Sequence, residues 1–284
     1  TALRWFKQAA AGRYAPAVDA LGQVYARGLG VKADPEQARA YYRQAAAAGY
    51  APSQVRLALI YSGAGKNNPG LAADWAQKAA AQDYPPGEYV LADFYRQGIG
   101  ISKSRQQALA LLQKAAEQGL PAAQLRLGDL YRSGGDGVRK NTRKALAQYQ
   151  KAVGEGNAEA MGRIGESYLK NDAAQAFAWF QRAAAAGDAP SAYRLGLAYR
   201  TGNGLAQDSR KAAYWLAAAV AGGYRTAKKP LGRLCAASPD TCSTEEKILA
   251  STGKPKASAP APVREAPDLS RLRLSAAAAA KGSK

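Results

Sequence analysis

Histidine, the side chain that most often serves as a general base or a metal ligand, is absent from all 284 residues of the sequence. The sequence also lacks a nucleophile elbow, a Walker loop and a Cys-x-x-Cys pair. Its Gly-x-Gly pieces lack the strand, helix and spacing of a nucleotide-binding loop. We therefore expect no enzymatic activity, no metal ion and no cofactor.

The two cysteines, Cys235 and Cys242, are close enough in sequence to form a disulfide. They enclose six residues, which include the turn-forming pair Pro239 and Asp240. A bridge there would fasten the C-terminal end of the fold and indicate an oxidising compartment such as the bacterial periplasm. The alternative is that Cys235 is a small buried residue and Cys242 is a free thiol.

Arginine recurs at one position of a repeated pattern, five residues before a regularly spaced tyrosine. The position holds Arg56, Arg126, Arg163 and Arg194. Guanidinium groups in such a row could hold the carboxylates of an acidic ligand. Two of the four are followed three residues later by an acid, Asp129 or Glu166, and these pairs could instead neutralise each other. The other two, Arg56 and Arg194, are followed by leucine, so the sequence predicts that they are the freer donors.

A second group of cations is concentrated in residues 132–144. It consists of Arg132, Arg139, Lys140, Arg143 and Lys144, with Asp136 as the one acid among them. A phosphate or an anionic polymer could dock on Arg139, Lys140, Arg143 and Lys144; the alternative is a charged turn that serves only solubility. Nucleic acid is a disfavoured partner, because it usually needs aromatic side chains exposed between the basic residues.

The overall charge favours acidic partners. Lysine and arginine outnumber aspartate and glutamate by 40 to 21, which gives a net charge of +19. Acidic proteins, anionic lipids and acidic polysaccharides all fit this charge. No apolar run reaches 18 residues, so we expect no transmembrane segment. Since Thr1 falls inside a repeat, a signal peptide, a lipid anchor or further repeats could precede it.

The elements that must position these groups repeat along the chain. Tyrosine recurs at intervals of 31 to 37 residues, at Tyr25, Tyr61, Tyr95, Tyr131, Tyr168 and Tyr199. Four and three residues before each tyrosine stand a large apolar residue and a glycine or alanine, as in Leu21 and Gly22. These offsets place the three residues on one face of a helix. The small residue would let a neighbouring helix approach closely.

A second helical pattern begins about ten residues after each tyrosine and occurs seven times. It reads one alanine, two other residues, a bulky pair, two other residues and then a pair of small residues, usually two alanines, as in residues 176–184. Offsets of three, four, seven and eight define a helical stripe, which predicts that Trp179 lies in the core. Glycine-rich turns such as residues 28–30 join the two helices of a repeat, and segments such as residues 49–52 join successive repeats.

These patterns resemble the Sel-one-like repeat family, a relative of the tetratricopeptide repeats. The resemblance rests on the run Ala-Ala-x-x-Gly, then Ala, Leu-Gly-x-x-Tyr and Gly-x-Gly, and it covers residues 1–235. It implies an all-α, right-handed superhelical solenoid of antiparallel helix pairs, with six to seven repeats of roughly 36 residues. The tyrosine-bearing helix of each pair is expected to line a concave groove.

Two segments depart from the repeat, and the C-terminal part follows another pattern. Residues 169–173 shorten the glycine-rich turn, and residues 63–70 are irregular. Residues 236–250 are predicted to cap the solenoid, with Cys235 in the tyrosine position. Residues 251–284 are predicted to be a disordered tail, in which 251–268 form an extended linker and 269–281 a transient helix.

The resemblance implies a non-enzymatic scaffold that binds a protein or peptide, since family members are adaptors in signalling and in bacterial envelope assembly. A periplasmic or envelope-associated location is the first expectation, and a cytoplasmic one is the alternative. The second function that fits is a scaffold of an exopolysaccharide synthesis or export system that contacts an acidic polysaccharide. Salt would discriminate between them, because binding to a polyanion weakens steeply as ionic strength rises.

Overall fold

The computed structural model describes residues 2–63 and 68–242, and in that part of the chain every regular element is helical. Two short 3₁₀ turns, Arg225–Ala227 and Pro239–Thr241, flank the last helix. The helices are α1 (Ala2–Ala11), α2 (Ala15–Arg27), α3 (Pro35–Ala47), α4 (Ala51–Ser62), α5 (Pro69–Ala80), α6 (Pro85–Gln97), α7 (Arg105–Glu117), α8 (Pro121–Ser133), α9 (Thr142–Gly154), α10 (Ala158–Tyr168), α11 (Ala173–Ala185), α12 (Ala189–Thr201), α13 (Ser209–Ala221) and α14 (Lys228–Ala237).

The helices alternate between two kinds, which confirms the predicted all-α solenoid of helix pairs. The A helices (α2, α4, α6, α8, α10 and α12) carry the tyrosines, and the B helices (α1, α3, α5, α7, α9, α11 and α13) carry the alanine stripe. The chain divides within α8 into two compact units. Among the described residues, unit 1 comprises 2–63, 68–126 and 135–138, and unit 2 comprises 127–134 and 139–242.

One hydrogen bond recurs in the turn between the A and B helices of a repeat. The carbonyl of the repeated tyrosine accepts the N–H of the residue that caps the following B helix, at 2.6 to 3.0 Å. The cap is Asp34, Asn68, Ser104, Asn141, Asp172 or Asp208, and its side chain accepts a backbone N–H of the first helical turn. Such a cap stabilises a helix by about 1 kcal/mol. The same hydrogen bond therefore joins the two helices of each of these repeats, although the turns differ in length.

In four of the A helices the small residue is a glycine, Gly22, Gly128, Gly165 or Gly196, and it admits a bulky residue of the B helix in the same repeat. A Cβ added to Gly165 would lie 2.7 Å from the ring of Phe180, and one added to Gly22 would lie 2.5 Å from the ring of Tyr42. Real Cβ atoms do not approach so closely, so the helices could not pack this way with a larger residue. The predicted close approach at the small residue is confirmed.

The prediction that Trp179 lies in the core is wrong. Phe180, the second member of the bulky pair, is fully buried, whereas Trp179 is half-buried. The Arg182 guanidinium covers the outer side of the Trp179 ring, 5.1 Å from its centroid. The two positions differ by about 100° around the helix axis, so only the second faces the A helix.

The last described helix, α14, occupies the position of an A helix. Cys235 of α14 forms a disulfide with Cys242, and both cysteines lie in a core cluster with Leu216 and Leu231. The bridge that the sequence permitted is therefore present in the structure. The predicted cap, residues 236–250, is described as far as Cys242, and the predicted tail, residues 251–284, lies outside the described residues.

The structure describes the shortened turn, residues 169–173, completely and the irregular segment, residues 63–70, only in part. In the shortened turn, α10 ends at Tyr168 and α11 begins at Ala173, yet the bond from the N–H of Asp172 to the carbonyl of Tyr168 is kept at 2.8 Å. In the irregular segment, residues 64–67 lie outside the described residues. No helix in the described part of the chain is long and apolar enough to span a bilayer.

Candidate functional site

The arginine column, defined as Arg56, Arg126, Arg163 and Arg194, lies on the A helices α4, α8, α10 and α12. Arg56 shows how its members are held. Its Nε donates to Asp19 of the preceding repeat at 3.1 Å, and its guanidinium lies 5.6 Å from the ring centroid of Tyr42. Asp19 is only 4% exposed and also accepts from Ser53 and Gln23, at 2.6 and 2.8 Å. Arg56 is therefore part of the packing between repeats.

Arg163 is the centre of a larger charge network in unit 2. It forms salt bridges with Asp129 at 3.2 Å, Glu159 at 3.2 Å and Glu166 at 3.3 Å. Burial opposes its charge, but Asp129, Glu166 and Glu159 outweigh that effect and raise the pKa of Arg163. Arg194, which lies in the following repeat, forms a salt bridge with Glu166 and stacks on the ring of Phe180.

A buried hydroxyl completes this network. Tyr149 is fully buried; it donates to Asp129 at 2.9 Å and accepts from Nε of Arg132 at 3.2 Å. Burial and the neighbouring Asp129 raise the pKa of Tyr149, so it stays a donor throughout the physiological range. Arg132 also pairs with Asp129 and Glu166, at 3.6 and 3.9 Å. Arg132 thus belongs to the network, although the sequence grouped it with the cations of the following turn.

The prediction that Arg56 and Arg194 are the freer donors is wrong. Each pairs with an acid from the repeat before its own, Asp19 or Glu166, which spacing within one helix does not reveal. The Arg163 and Glu166 pair forms as the alternative interpretation expected. Arg126 differs from the other three, since it is half-buried and takes part in no salt bridge among the described residues. Asp129, three residues after it, binds Arg163 and Arg132.

The second candidate, here called the basic turn, consists of Arg139, Lys140, Arg143 and Lys144. All four side chains are exposed, and none forms a salt bridge within the described part of the chain. Lys144 places its ammonium 5.5 Å from the ring centroid of Tyr131, and its backbone N–H is capped by Asn141 at 2.9 Å. Asp136 pairs with Arg105 at 3.7 Å. The role of the basic turn as an anion contact stays a prediction.

Among the described residues, no group of three or more His, Cys, Asp or Glu side chains is placed so that it could hold a metal ion. The sequence analysis missed Asp19 and the contacts that Asp129 and Glu166 make with arginines of the next repeat, because the i, i+3 spacing relates residues of one helix only. Aligning the repeats would have placed an acid of one repeat opposite an arginine of the next. The hydroxyl of Tyr149 gives no such signal, because the sequence marks it only as a bulky core residue.

The known proteins that this chain is similar to include the following three. A Sel1 repeat protein from Oxalobacter formigenes superposes with a TM-score of 0.66 at 29% identity, over 76% of this chain and 88% of that one. An immunity protein from Pseudomonas aeruginosa superposes with a TM-score of 0.51 at 24% identity, over 72% and 79% of the two chains, a likeness of fold alone. Chitin synthase regulatory factor 3 of Schizosaccharomyces pombe is 31% identical over 127 residues, which are 43% of this chain and 14% of that protein.

The family model described as the Sel1 repeat matches seven consecutive stretches of the sequence. They are residues 1–14, 15–50, 51–84, 85–120, 121–157, 158–188 and 189–224. Each full stretch begins with an A helix and ends after the following B helix, so the family repeat coincides with the structural one. Because these stretches cover more than half of the sequence, the chain belongs to the Sel1 repeat family.

Proposed function

We propose that this chain is a scaffold that binds a protein partner on the A helices of its repeats. Sel1 repeat proteins typically mediate protein–protein interaction. The observation that carries the proposal is the arginine column, in which the side chains of Arg56, Arg163 and Arg194 are already ordered by salt bridges. A surface ordered in advance loses less conformational entropy when a partner binds.

The charges of the A helices favour a protein over a uniform polyanion. In unit 2, the arginines of the network alternate with Asp129, Glu159 and Glu166, which are 16 to 35% exposed. A protein presents donors and acceptors of both signs, so it can match such a surface. A polyanion would meet carboxylates beside each arginine and be repelled by them.

Arg126 is the member of the column from which we expect a direct contact. Its guanidinium has no salt-bridge partner among the described residues, so no existing pair must break when a partner carboxylate binds. Arg56, at the same position of another repeat, is already bound to Asp19. The two arginines therefore form a matched pair for testing the proposal.

The decisive experiment starts from an affinity capture with the intact chain in extracts of its source cells, at low and at high salt. The partner is then purified and titrated against wild type, Arg126→Ala and Arg56→Ala. We expect Arg126→Ala to weaken binding at least five-fold at an unchanged melting temperature, and Arg56→Ala to act mainly on stability. Equal affinities for wild type and Arg126→Ala would refute a direct contact on the A helices.

Envelope assembly in an oxidising compartment is the setting that we propose for this binding. The disulfide between Cys235 and Cys242 supports it, because such bridges persist in the periplasm and are rare in the cytoplasm. Alkylating free thiols in intact source cells before lysis would test the location. A bridged pair that resists alkylation is expected, whereas two alkylated cysteines would indicate the cytoplasm.

A scaffold that contacts an acidic polysaccharide is the second candidate function. It is favoured by the net charge of +19 and by the exposed cations of the basic turn. A relative that matches part of the chain is also named for the regulation of a polysaccharide synthase. Polygalacturonate is a suitable probe: tight binding that falls steeply with salt, together with no protein partner, would favour this function over the first.

A further inference from the structure

The turns within the repeats of unit 2 all lie on one edge of that unit. The carbonyls of Tyr131, Tyr168 and Tyr199 accept the cap N–H groups of α9, α11 and α13, at 2.6 to 2.9 Å. Successive helices from α9 to α13 pack against one another as antiparallel neighbours, so the turns between A and B helices alternate with those between repeats. We call the edge formed by residues 139–144, 169–172 and 200–211 the turn edge.

The positive charge of unit 2 is concentrated on the turn edge. Its cations are Arg139, Lys140, Arg143, Lys144, Lys170, Arg200, Arg210 and Lys211. Its two acids, Asp172 and Asp208, are both helix caps that accept a backbone N–H at 2.9 Å. On the opposite edge, the turns between repeats hold five cations, Lys151, Arg182, Arg225, Lys228 and Lys229, against three acids, Glu155, Glu159 and Asp188, a smaller excess of positive charge.

Most cations of the turn edge are free to bind a ligand. Within the described residues, Lys211 alone among them forms a salt bridge, with Asp208 at 3.4 Å. Arg200 is half-buried and the other seven side chains are exposed. The edge therefore presents unneutralised positive charge in three successive repeats. Arg163 and Arg194, the members of the arginine column in the same unit, are instead paired with acids.

We propose that the turn edge binds an acidic, extended segment of a protein, an inference that rests on the proposed function and names the surface and the partner chemistry. Neighbouring helices pack about 10 Å apart. Three turns therefore span at least about 20 Å, which an extended segment of about six residues covers. Such a segment places a carboxylate against each turn and gains from the steering effect of the concentrated charge.

An apolar side chain in the middle of the edge favours a peptide over other polyanions. Leu169, beside Lys170, is 41% exposed. A leucine or valine in the bound segment would cover it. Among the described residues, no exposed aromatic side chain lies on the turn edge, since Tyr214 is on the body of α13. Stacking of nucleic-acid bases therefore has no support there.

The test uses a fluorescein-labelled eight-residue peptide of aspartate and glutamate around one leucine, titrated by fluorescence anisotropy. One variant reverses one cation in each turn of the edge: Lys140→Glu, Lys170→Glu and Arg210→Glu. Its matched control makes the same charge change on the opposite edge: Lys151→Glu, Arg182→Glu and Arg225→Glu. Both are checked for helicity and melting temperature.

We expect the turn-edge variant to bind the peptide at least ten-fold more weakly, and the control less than three-fold more weakly. Leu169→Ser should weaken the leucine peptide more than a peptide without leucine. Equal losses in the two triple variants would show general charge attraction and overturn the proposal. Polygalacturonate or single-stranded DNA competing better than the peptide at equal charge would overturn the choice of a protein segment.

The natural partner separates this proposal from the scaffold function. If that partner depends on Arg126 but binds the turn-edge variant like wild type, the scaffold function stands and the turn edge is not its docking surface. If it is lost from the turn-edge variant and indifferent to Arg126→Ala, the turn edge stands and binding on the A helices is refuted.

Discussion

The arginine column and the turn edge hold the same kinds of side chain in opposite electrostatic settings. In the column, Arg56, Arg163 and Arg194 form salt bridges with acids of their own or a neighbouring repeat. Their side chains are only 14 to 40% exposed to solvent. On the turn edge, the acids are helix caps and most cations remain exposed and unpaired. A regular row of arginines in a repeat protein can therefore be structural, while an irregular group of cations in its turns is the freer surface.

The largest effect is expected beneath the arginine column, at Phe180. Phe180→Ala should lower the free energy of unfolding by roughly 3 to 5 kcal/mol, because a fully buried ring is removed. It would also remove the ring on which Arg194 stacks, 5.6 Å from its guanidinium. Urea unfolding followed by circular dichroism measures the change. The control is Trp179→Ala, which should cost clearly less; a greater loss at Trp179 would contradict the observed orientation of α11.

Arg163 should be the most stabilising member of the column. Arg163→Met leaves Asp129, Glu159 and Glu166 without their shared cation, and we expect a loss of about 2 kcal/mol. The same change on the turn edge, Arg143→Met, should alter stability by less than about 0.5 kcal/mol. Similar losses in the two variants would mean that the column and the edge do not differ in the way the salt bridges indicate.

Two members of the column itself should behave differently. Arg56→Ala leaves the buried carboxylate of Asp19 with fewer partners and should cost about 1 to 2 kcal/mol. Arg126→Ala breaks no salt bridge in the described residues and should cost less than about 0.5 kcal/mol. Paired melting curves at one salt concentration suffice, and a larger loss at Arg126 would reverse our assignment of the unpaired member.

The smallest effect concerns the acids of the turn edge and depends on pH. The N–H of Lys211 lowers the pKa of Asp208 by hydrogen bonding to its carboxylate. A carboxylate with a lowered folded pKa stabilises the protein fully above its unfolded pKa, and this contribution is lost as pH falls through the folded pKa. Asp208→Ala should therefore lower the melting temperature at pH 7 but have much less effect below pH of about 3.

Asn141 provides the control for this prediction, because it caps α9 with an amide that does not titrate in this range. Asn141→Ala should cost about 1 kcal/mol at both pH values. If the effect of Asp208→Ala is as independent of pH as that of Asn141→Ala, the cap at α13 acts through its hydrogen bond and not through its charge.

The repeat and its local chemistry follow from the amino-acid sequence alone. Leu21, Gly22 and Tyr25 lie within two turns of one helix, so their spacing alone predicts that they share a face, without knowledge of the tertiary structure. The small residue at Gly22 was a correct sign of close helix packing, because only a residue without a large side chain leaves room for Tyr42. Cys235 and Cys242 are near neighbours in sequence, so the sequence permitted their pairing, and the structure decided it against the alternative of a free thiol.

The tertiary structure alone decided which charges are neutralised and which residue of a bulky pair is core. Arg56 and Asp19 are 37 residues apart, and Arg194 and Glu166 are 28 apart, so their pairing depends on how one repeat packs on the next. Phe180 and not Trp179 faces the A helix, since a stripe of two adjacent positions leaves the rotation of the helix undetermined by about 100°. Packing between helices sets that rotation, and with it the difference between a paired arginine and a free one.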